Sequence, residues 1–391
     1  MARLVFYSHD GFGLGHVRRN LALSRRIVEL DPSSSVLVVT GSDVATQFDL
    51  SDGTDILELP SLAKVSNGVY TARRLRVDAE AVHRLRADIL AAAVRSFRPH
   101  VMVVDKSPLG PGGELIPALH GLHQVGGRAV LGLRDVLDDG ATVATEWTPK
   151  AVPAILTHYS RVLVYGSEGF LDPLVDYALP DAVRGLSAYC GYVVNDPPGR
   201  VAVPWRDDCG PVVLATAGGG EDGAALLEAF VHAAIGAPWR GVVVAGPMIP
   251  PDEFARLSAL GAEAGVRVVS FIPALVGWFA AVDAVVSMGG YNTLVEAVST
   301  GVPIVCVPRV EPRIEQLIRA RAFADRGLLR LLEPDSLSPM TLRASVDAAL
   351  ADGRDPARAA LLEHGGADCG ARELLEIASL PRHVVRRISV A

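Results

Sequence analysis

The sequence predicts an α/β protein made of two doubly wound domains that face an interdomain cleft. Short β-type segments alternate with longer helical segments along nearly the whole chain, which is the pattern of parallel sheets built from βαβ units. The length of 391 residues exceeds that of one typical domain. A turn-rich stretch without periodicity, 195–210, interrupts the alternation near the middle of the chain.

The first half of the chain, 1–194, is predicted to form the N-terminal domain. Helices are expected at His16–Leu30 and Val77–Phe97, and apolar residues recur at three- and four-residue steps along the second of these. The predicted strands are Ala2–Ser8, Ser35–Thr40, Asp55–Leu59, Val101–Asp105, Ala129–Leu133 and Arg161–Tyr165. The segments Leu59–Arg76 and Ser107–Gly113 carry no motif and are expected to be loops.

The second half repeats this organisation after a linker at 195–210, so that 211–391 forms the C-terminal domain. Helices are expected to start near Asp222, Pro251, Pro273, Tyr291 and Arg313, and a helical tail rich in Ala and Leu closes the domain. The predicted strands are Pro211–Ala215, Gly241–Ala245, Val266–Phe271, Asp283–Ser287 and Pro303–Val307.

Composition argues against several classes of protein. A formal net charge of −7 is unfavourable for a general nucleic-acid binder, which normally has a basic surface. The four cysteines lack the close spacing of a metal site, and no Asp-x-Asp triplet occurs that would hold a metal-bound diphosphate. No apolar run is long enough to span a bilayer. We therefore expect a cytoplasmic protein without a bound metal and at most in peripheral contact with a membrane.

A glycine turn in the second half is the strongest functional signal. Gly289 and Gly290 follow a predicted strand directly, and Asn292 and Thr293 open the next helix. Ligands of open α/β sheets bind at this edge, where the N–H groups of a helix N-terminus attract phosphate. Glu296 lies almost two turns further on, at a distance that suits a ribose diol. The spacing is typical of nucleotide diphosphate binding, but an ordinary helix start would also explain it.

A second glycine loop lies in the first half, where Gly13 and Gly15 precede His16. The positive end of the helix would keep the His16 imidazole neutral, as a general base requires, and Asp105 at a neighbouring strand end could orient the ring. A capping histidine is the alternative. A nicotinamide site is disfavoured because the second strand ends at Thr40 without the carboxylate that holds the adenosine ribose.

Taken together, these motifs resemble those of the MurG-like nucleotide-sugar glycosyltransferases of family 28 type, which have two Rossmann-like domains in the GT-B architecture. The resemblance assigns the catalytic role to His16 and the glycine loop to Gly13 and Gly15, while Asp105 is added to the catalytic pair from its place at the strand end. It assigns sugar binding to Glu315 and Gln316, and nucleotide binding to Gly218, Gly219, Gly220, Phe271, Ile272, Gly289, Gly290, Asn292, Thr293 and Glu296. It implies an inverting, metal-independent hexosyltransferase with an acceptor-binding N-terminal domain and His16 as base.

The basic pair Arg18 and Arg19 departs from this family and resembles the start of UDP-sugar hydrolases that share the fold. The polar face of a helix is the preferred interpretation of the pair, and an anionic acceptor is another. The expected substrates are a UDP- or dTDP-sugar and a small-molecule or lipid-linked acceptor, with no cofactor. A UDP-sugar hydrolase, a nucleotide-sugar 2-epimerase and a binding protein without catalysis stay open as alternatives.

Overall fold

The computed structural model describes residues 1–9, 14–66, 69–195, 210–272 and 275–382. The chain divides into two compact units, one comprising Met1–Val193 with Gly365–Ala391 and the other Val194–His364. We call them unit 1 and unit 2. Each unit contains a parallel sheet with helices, so the predicted α/β fold class is confirmed.

Unit 1 contains a seven-stranded sheet and a separate hairpin. The strands are β1 Arg3–Ser8, β2 Ser35–Thr40, β3 Thr54–Glu58, β4 Leu62–Ser66, β5 Val69–Ala72, β6 Val101–Asp105, β7 Arg128–Arg134, β8 Tyr159–Tyr165 and β9 Ser187–Tyr189. The sheet has the order β3-β2-β1-β6-β7-β8-β9, and all its strand pairs are parallel. The strand order reverses between β1 and β6, which places their carboxyl ends where such sheets bind ligands.

Helices cover the sheet of unit 1. They are α1 Gly15–Leu30, α2 Ala79–Phe97, α3 Ile116–Gln124, α4 Gly140–Thr142, α5 Thr148–His158, α6 Pro173–Asp176 and α7 Asp181–Arg184, with 3₁₀ turns at Ala45–Gln47 and Pro111–Gly113 and a π-helical turn at Val143–Trp147. The helix α1 buries Val17, Leu23 and Ile27 completely, and each such burial contributes roughly 1.5–3 kcal/mol. Asp78 caps α2 by accepting a hydrogen bond from the Ala81 N–H.

Unit 2 contains a six-stranded parallel sheet in the order β12-β11-β10-β13-β14-β15. Its strands are β10 Val212–Thr216, β11 Arg240–Val244, β12 Arg267–Val269, β13 Ala284–Ser287, β14 Ile304–Cys306 and β15 Arg330–Leu331. Its helices are α8 Ala224–Ala234, α9 Pro251–Ala264, α10 Leu275–Ala281, α11 Tyr291–Ser299, α12 Glu315–Asp325, α13 Pro339–Asp352 and α14 Pro356–Ala359, with a 3₁₀ turn at Pro334–Ser336.

The final helix, α15 Gly366–Ser379, differs from the sequence prediction. We expected all of 211–391 to belong to the C-terminal domain, but α15 packs on α1 in unit 1. Gly370 permits close contact with Leu23, since a Cβ there would lie 2.8 Å from a Leu23 methyl carbon. Arg26 donates to Asp368 at 2.9 Å across the same helix pair. The prediction was wrong here because such contacts leave no local signal in the sequence.

The segment Leu59–Arg76 also differs from its prediction as a loop, since it contains the antiparallel hairpin of β4 and β5. The two hairpin strands have only five and four residues, and the hairpin lies outside both main sheets. Among the described residues, no helix is long and apolar enough to cross a membrane.

Candidate active site

His16 and Asp105 lie at the same edge of the unit 1 sheet. His16 is the second residue of α1, and Asp105 is the last residue of β6, which pairs with β1. His16 Nδ1 is 3.0 Å from Asp105 Oδ1, with 13% of the His16 side chain and 1% of the Asp105 side chain exposed. The fold thus brings the predicted pair into hydrogen-bond contact, while its catalytic role stays a prediction.

Arg19 completes this cluster. It follows His16 by one helical turn, is almost fully buried, and donates to Asp105 Oδ2 from Nε at 3.1 Å and from Nη2. Its guanidinium also lies over the Tyr165 ring, 5.4 Å from the centroid. The preferred interpretation of Arg19 as part of a polar helix face was therefore wrong, because Asp105 compensates its buried charge. The i, i+3 spacing from His16 is the sequence signal that could have revealed this contact.

The charge of Asp105 follows from these contacts. Burial would raise the pKa of Asp105, but Arg19 and then His16 outweigh burial and hold it well below its usual range. The carboxylate is therefore ionised and accepts from His16, so we assign the imidazole proton to Nδ1. This tautomer leaves the Nε2 lone pair available to accept a proton.

A second histidine, His9, lies beside the pair. It follows β1, and its ring centroid is 5.7 Å from that of His16 and 5.7 Å from that of Tyr70. Its Nδ1 is buried without a hydrogen-bond partner among the described residues. Burial, followed by the nearby positive charges, lowers the pKa of His9 to about 3. No sequence motif marks this neutral imidazole, since a lone histidine after a strand has no distinctive spacing.

A buried ion pair supports the loops around this edge. Arg86 donates from Nε and Nη2 to Glu114 at 2.7 Å each, and Tyr7 also donates to Glu114. The third Arg86 contact is a 2.7 Å bond to the carbonyl oxygen of Pro60. The network therefore connects α2 with the segments that follow β3 and β6. Breaking a pair of this kind by removing one partner typically costs about 3–5 kcal/mol.

The glycine loop before α1 is only partly described. Gly13 lies outside the described residues. Gly15 is the first residue of α1, and no described atom lies within 4 Å of the place a Cβ would take. No contact with a described residue therefore requires glycine at position 15.

In unit 2, the turn after β10 does require glycines. Gly218 and Gly220 have φ values of +66° and +99°. A Cβ at Gly220 would lie 2.7 Å from the carbonyl oxygen of Ala245, so backbone packs directly on this residue. A Cβ at Gly218 would lie 3.9 Å from Thr293 Oγ1, which places the turn beside α11. Gly219 accepts a backbone bond from Met248 at 2.9 Å.

The predicted diphosphate turn joins β13 to α11. A Cβ at Gly289 would lie 2.6 Å from the Gln316 carbonyl oxygen. A Cβ at Gly290, in contrast, would have no described atom within 4 Å. The fully buried Arg319 donates from Nη1 to the Gly289 carbonyl at 2.8 Å. Because C=O and N–H point in opposite directions across a trans peptide, Arg319 turns the Gly290 N–H away from itself. The turn thus combines an oriented N–H with space that no described residue occupies.

The carboxylate predicted to hold a ribose is enclosed. Asn292 and Thr293 are buried in the first turn of α11, and Glu296 has no exposed surface. Glu296 Oε1 accepts a 2.8 Å hydrogen bond from Asn195 Nδ2. A ribose hydroxyl that binds this oxygen would therefore compete with the Asn195 amide.

The residues predicted to bind the sugar contact a neighbouring arginine. Arg309 donates from Nη2 to Glu315 Oε1 at 2.7 Å, and its backbone N–H donates to Gln316 Oε1 at 3.2 Å. Its Nη1 donates to Asp222 Oδ2 at 2.6 Å. Glu315 and Gln316 are thus brought together at the start of α12. The sequence alone assigned no role to Arg309.

The predicted base-binding residues lie at the far side of the same sheet. Phe271 and Ile272 follow β12, which is the edge strand and is separated from β13 by β11 and β10. Both are half-buried. Pro273, the third residue of this predicted loop, lies outside the described residues.

Comparison with known proteins identifies the type of domain. Residues 250–364 match the glycosyltransferase family 28 C-terminal domain. A relative from Sorangium cellulosum (strain So ce56), named as a UDP-N-acetylglucosamine--N-acetylmuramyl-(pentapeptide) pyrophosphoryl-undecaprenol N-acetylglucosamine transferase, is 27% identical over 62% of this chain. That match spans 64% of the relative, just under two thirds of its length. A protein of the same name from Paenarthrobacter aurescens (strain TC1) is 25% identical, over 86% of this chain and 85% of its own.

The C-terminal part of the chain is thus similar to the corresponding domain of MurG-like family 28 glycosyltransferases. Solved structures show the same fold: the Acinetobacter baumannii MurG aligns with a TM-score of 0.60 at 13% identity, covering 96% of this chain and 100% of its own. The spinosyn forosaminyltransferase SpnP aligns with a TM-score of 0.65 at 14% identity, covering 97% and 100%. The chain thus has the two-domain, Rossmann-like GT-B fold.

Proposed function

We propose that this protein is an inverting glycosyltransferase that moves a sugar from a UDP- or dTDP-sugar to an acceptor hydroxyl. The observation that carries the proposal is the Gly289–Gly290 turn, which presents an oriented N–H and open space at the start of α11. Phosphate oxygens fit such a site because the helix N-terminus attracts negative charge. The turn lies within the segment that matches the family 28 domain.

The choice of nucleotide follows the relatives. The Sorangium relative is named as a transferase that uses a UDP-sugar. The spinosyn rhamnosyltransferase SpnG, which aligns with a TM-score of 0.57 at 17% identity over 95% of this chain, was solved with thymidine diphosphate. Both nucleotides carry a pyrimidine base and a diphosphate, and we propose that unit 2 binds that common part.

In the proposed mechanism, unit 1 supplies the base. Asp105 holds the Nδ1–H of His16, and Nε2 takes the proton of the acceptor hydroxyl. The acceptor oxygen forms a bond to the anomeric carbon from the face opposite the leaving group, so the configuration inverts. The bond from that carbon to the diphosphate breaks, and the electron pair passes to the diphosphate oxygen. The Gly290 N–H stabilises the resulting charge.

Donor binding can be tested with Gly290→Ala. The backbone at Gly290, with φ −67° and ψ 136°, suits any residue, so the added methyl should not affect stability. It would occupy the open space proposed for the diphosphate, and we expect UDP or dTDP affinity to fall about tenfold or more in calorimetric titration. Gly140→Ala in unit 1, where the Cβ position is also open, is the matched control. If the wild-type protein bound UDP, dTDP and GDP equally poorly, the proposal would be wrong.

Catalysis can be tested with His16→Ala, which should lower turnover by about 100-fold or more, the usual contribution of a general base. Donor affinity should not change, since His16 belongs to unit 1. Near-normal turnover would remove His16 from the mechanism. The reaction should also be followed without any acceptor, because free sugar formed at the full rate would identify the protein as a hydrolase instead.

A further inference from the structure

Arg309 connects two loops on either side of the proposed diphosphate turn. It follows β14, and its Nη1 bonds at 2.6 Å to Asp222, which belongs to the segment that follows β10. In the sheet, β13 lies between β10 and β14. The Arg309–Asp222 bond therefore spans the edge of the sheet at which β13 ends and the Gly289–Gly290 turn begins.

Gln316 independently places Arg309 next to this turn. Its side-chain oxygen accepts the Arg309 backbone N–H at 3.2 Å. Its backbone carbonyl oxygen packs against Gly289, at 2.6 Å from the place of a Cβ. One residue thus contacts both the loop that carries Arg309 and the turn proposed to hold the diphosphate.

The bridge formed by Arg309 is accessible and can exchange partners. Exposure is 14% for the Arg309 side chain, 8% for Glu315 and 26% for Asp222. Since Asp222 is the more exposed carboxylate, it can turn towards water when another anion approaches. A partly exposed ion pair contributes little net stability, typically below about 1 kcal/mol, so exchanging it for a phosphate costs little.

We propose that Arg309 binds the donor diphosphate: its guanidinium leaves Asp222 for phosphate oxygens when the nucleotide enters, and Glu315 keeps it in position. This inference rests on the proposed function and names a residue for its donor site. A guanidinium suits the role because its paired N–H groups match phosphate oxygens and because it stays charged. In the reaction, Arg309 stabilises the electron pair that the diphosphate oxygen receives as its bond to the anomeric carbon breaks.

The alternative is that Arg309 is a structural bridge, and two substitutions separate these roles. Arg309→Gln removes both the bridge and the cation. Asp222→Asn weakens the bridge but leaves the cation. If Arg309 binds phosphate, the first substitution lowers UDP affinity and the second leaves it unchanged or raises it, because Arg309 is released from a competing carboxylate. If the bridge itself matters, both substitutions lower affinity.

The experiment is calorimetric titration of UDP and of uridine into the wild type and these variants. We expect Arg309→Gln to weaken UDP binding at least tenfold and to leave uridine binding unchanged, while Arg321→Gln, at an exposed ion pair elsewhere in unit 2, changes neither. Equal losses for UDP and uridine, or no loss for UDP, would overturn the role of Arg309. If the wild type failed to bind UDP, dTDP and uridine, the proposed function itself would be wrong. This result is distinct from the two results that would overturn only the role of Arg309.

Discussion

Arg19 Nη2 lies 3.1 Å from His16 Nδ1, the same nitrogen that is 3.0 Å from Asp105 Oδ1. A guanidinium carries only donors, so the proton on His16 Nδ1 cannot be shared with Arg19 and is given to Asp105. Arg19 in turn holds the other carboxylate oxygen. Arg19 is therefore a positioning residue that fixes the carboxylate against which the imidazole is oriented.

The first prediction concerns this positioning. Arg19→Lys keeps a positive charge but loses the two parallel bonds to one oxygen, so Asp105 and His16 become less well fixed. We expect kcat to fall about tenfold or more with little change in KM, because misplacement of a catalytic group affects the chemical step. Arg18→Lys, at the adjacent half-buried position, is the matched control and should be near normal. Equal activity of the two variants in steady-state kinetics would show that Asp105 needs no such support.

The second prediction concerns Asp105 and pH. Its pKa in the folded state lies below the unfolded value of about 3.9, so it stabilises the fold above pH 4, and this contribution disappears as the pH falls through the folded pKa. Asp105→Asn should therefore cost about 3 kcal/mol at pH 7, and the difference from wild type should narrow below pH 4. Urea unfolding at several pH values measures it, with Asp52→Asn at an exposed site as control. A difference that stays constant from pH 7 to pH 3 would contradict this account.

The sequence predicted the parts of the site that depend on local pattern. The end of β6 can be predicted because a run of buried apolar residues stops there. Since parallel strands end at the same edge of a sheet, Asp105 at the end of β6 lies close to His16, which follows β1. Arg19 was missed because a charged residue on a helix is normally exposed, and only the position of Asp105 reveals its burial. The contact of Asn195 with Glu296 was missed because Asn195 follows no predicted strand, so no shared sheet edge indicates where its side chain lies.

The third prediction concerns His9, which burial keeps neutral. Its pKa of about 3 lies below the unfolded value of about 6.5, so between these values the unfolded chain binds a proton that the folded chain does not. This residue therefore lowers stability as the pH falls, by up to about 1.4 kcal/mol per pH unit. Between pH 6.5 and 4.5, wild type should lose about 2 kcal/mol more than His9→Gln in urea unfolding. His120→Gln, at an exposed site, should keep the pH dependence of the wild type.

The last prediction concerns the enclosed carboxylate of unit 2. We expect the donor ribose to bind Glu296 at Oε1 and to take the place of the Asn195 amide there. Asn195→Ala removes from the free protein a hydrogen bond to a carboxylate, worth about 1.5 kcal/mol, that the complex does not contain, so uridine should bind about tenfold more tightly.

Two comparisons make this last test specific. Glu296→Gln should weaken uridine binding, since the amide accepts hydrogen bonds less strongly than the carboxylate. The ligand 2′,3′-dideoxyuridine lacks the diol, and its affinity should be the same for wild type and Asn195→Ala. Weaker uridine binding by Asn195→Ala would mean that the amide orients Glu296 and stays in place in the complex. The ribose would then have to be held by the second carboxylate oxygen alone, and the diphosphate turn would carry more of the donor affinity.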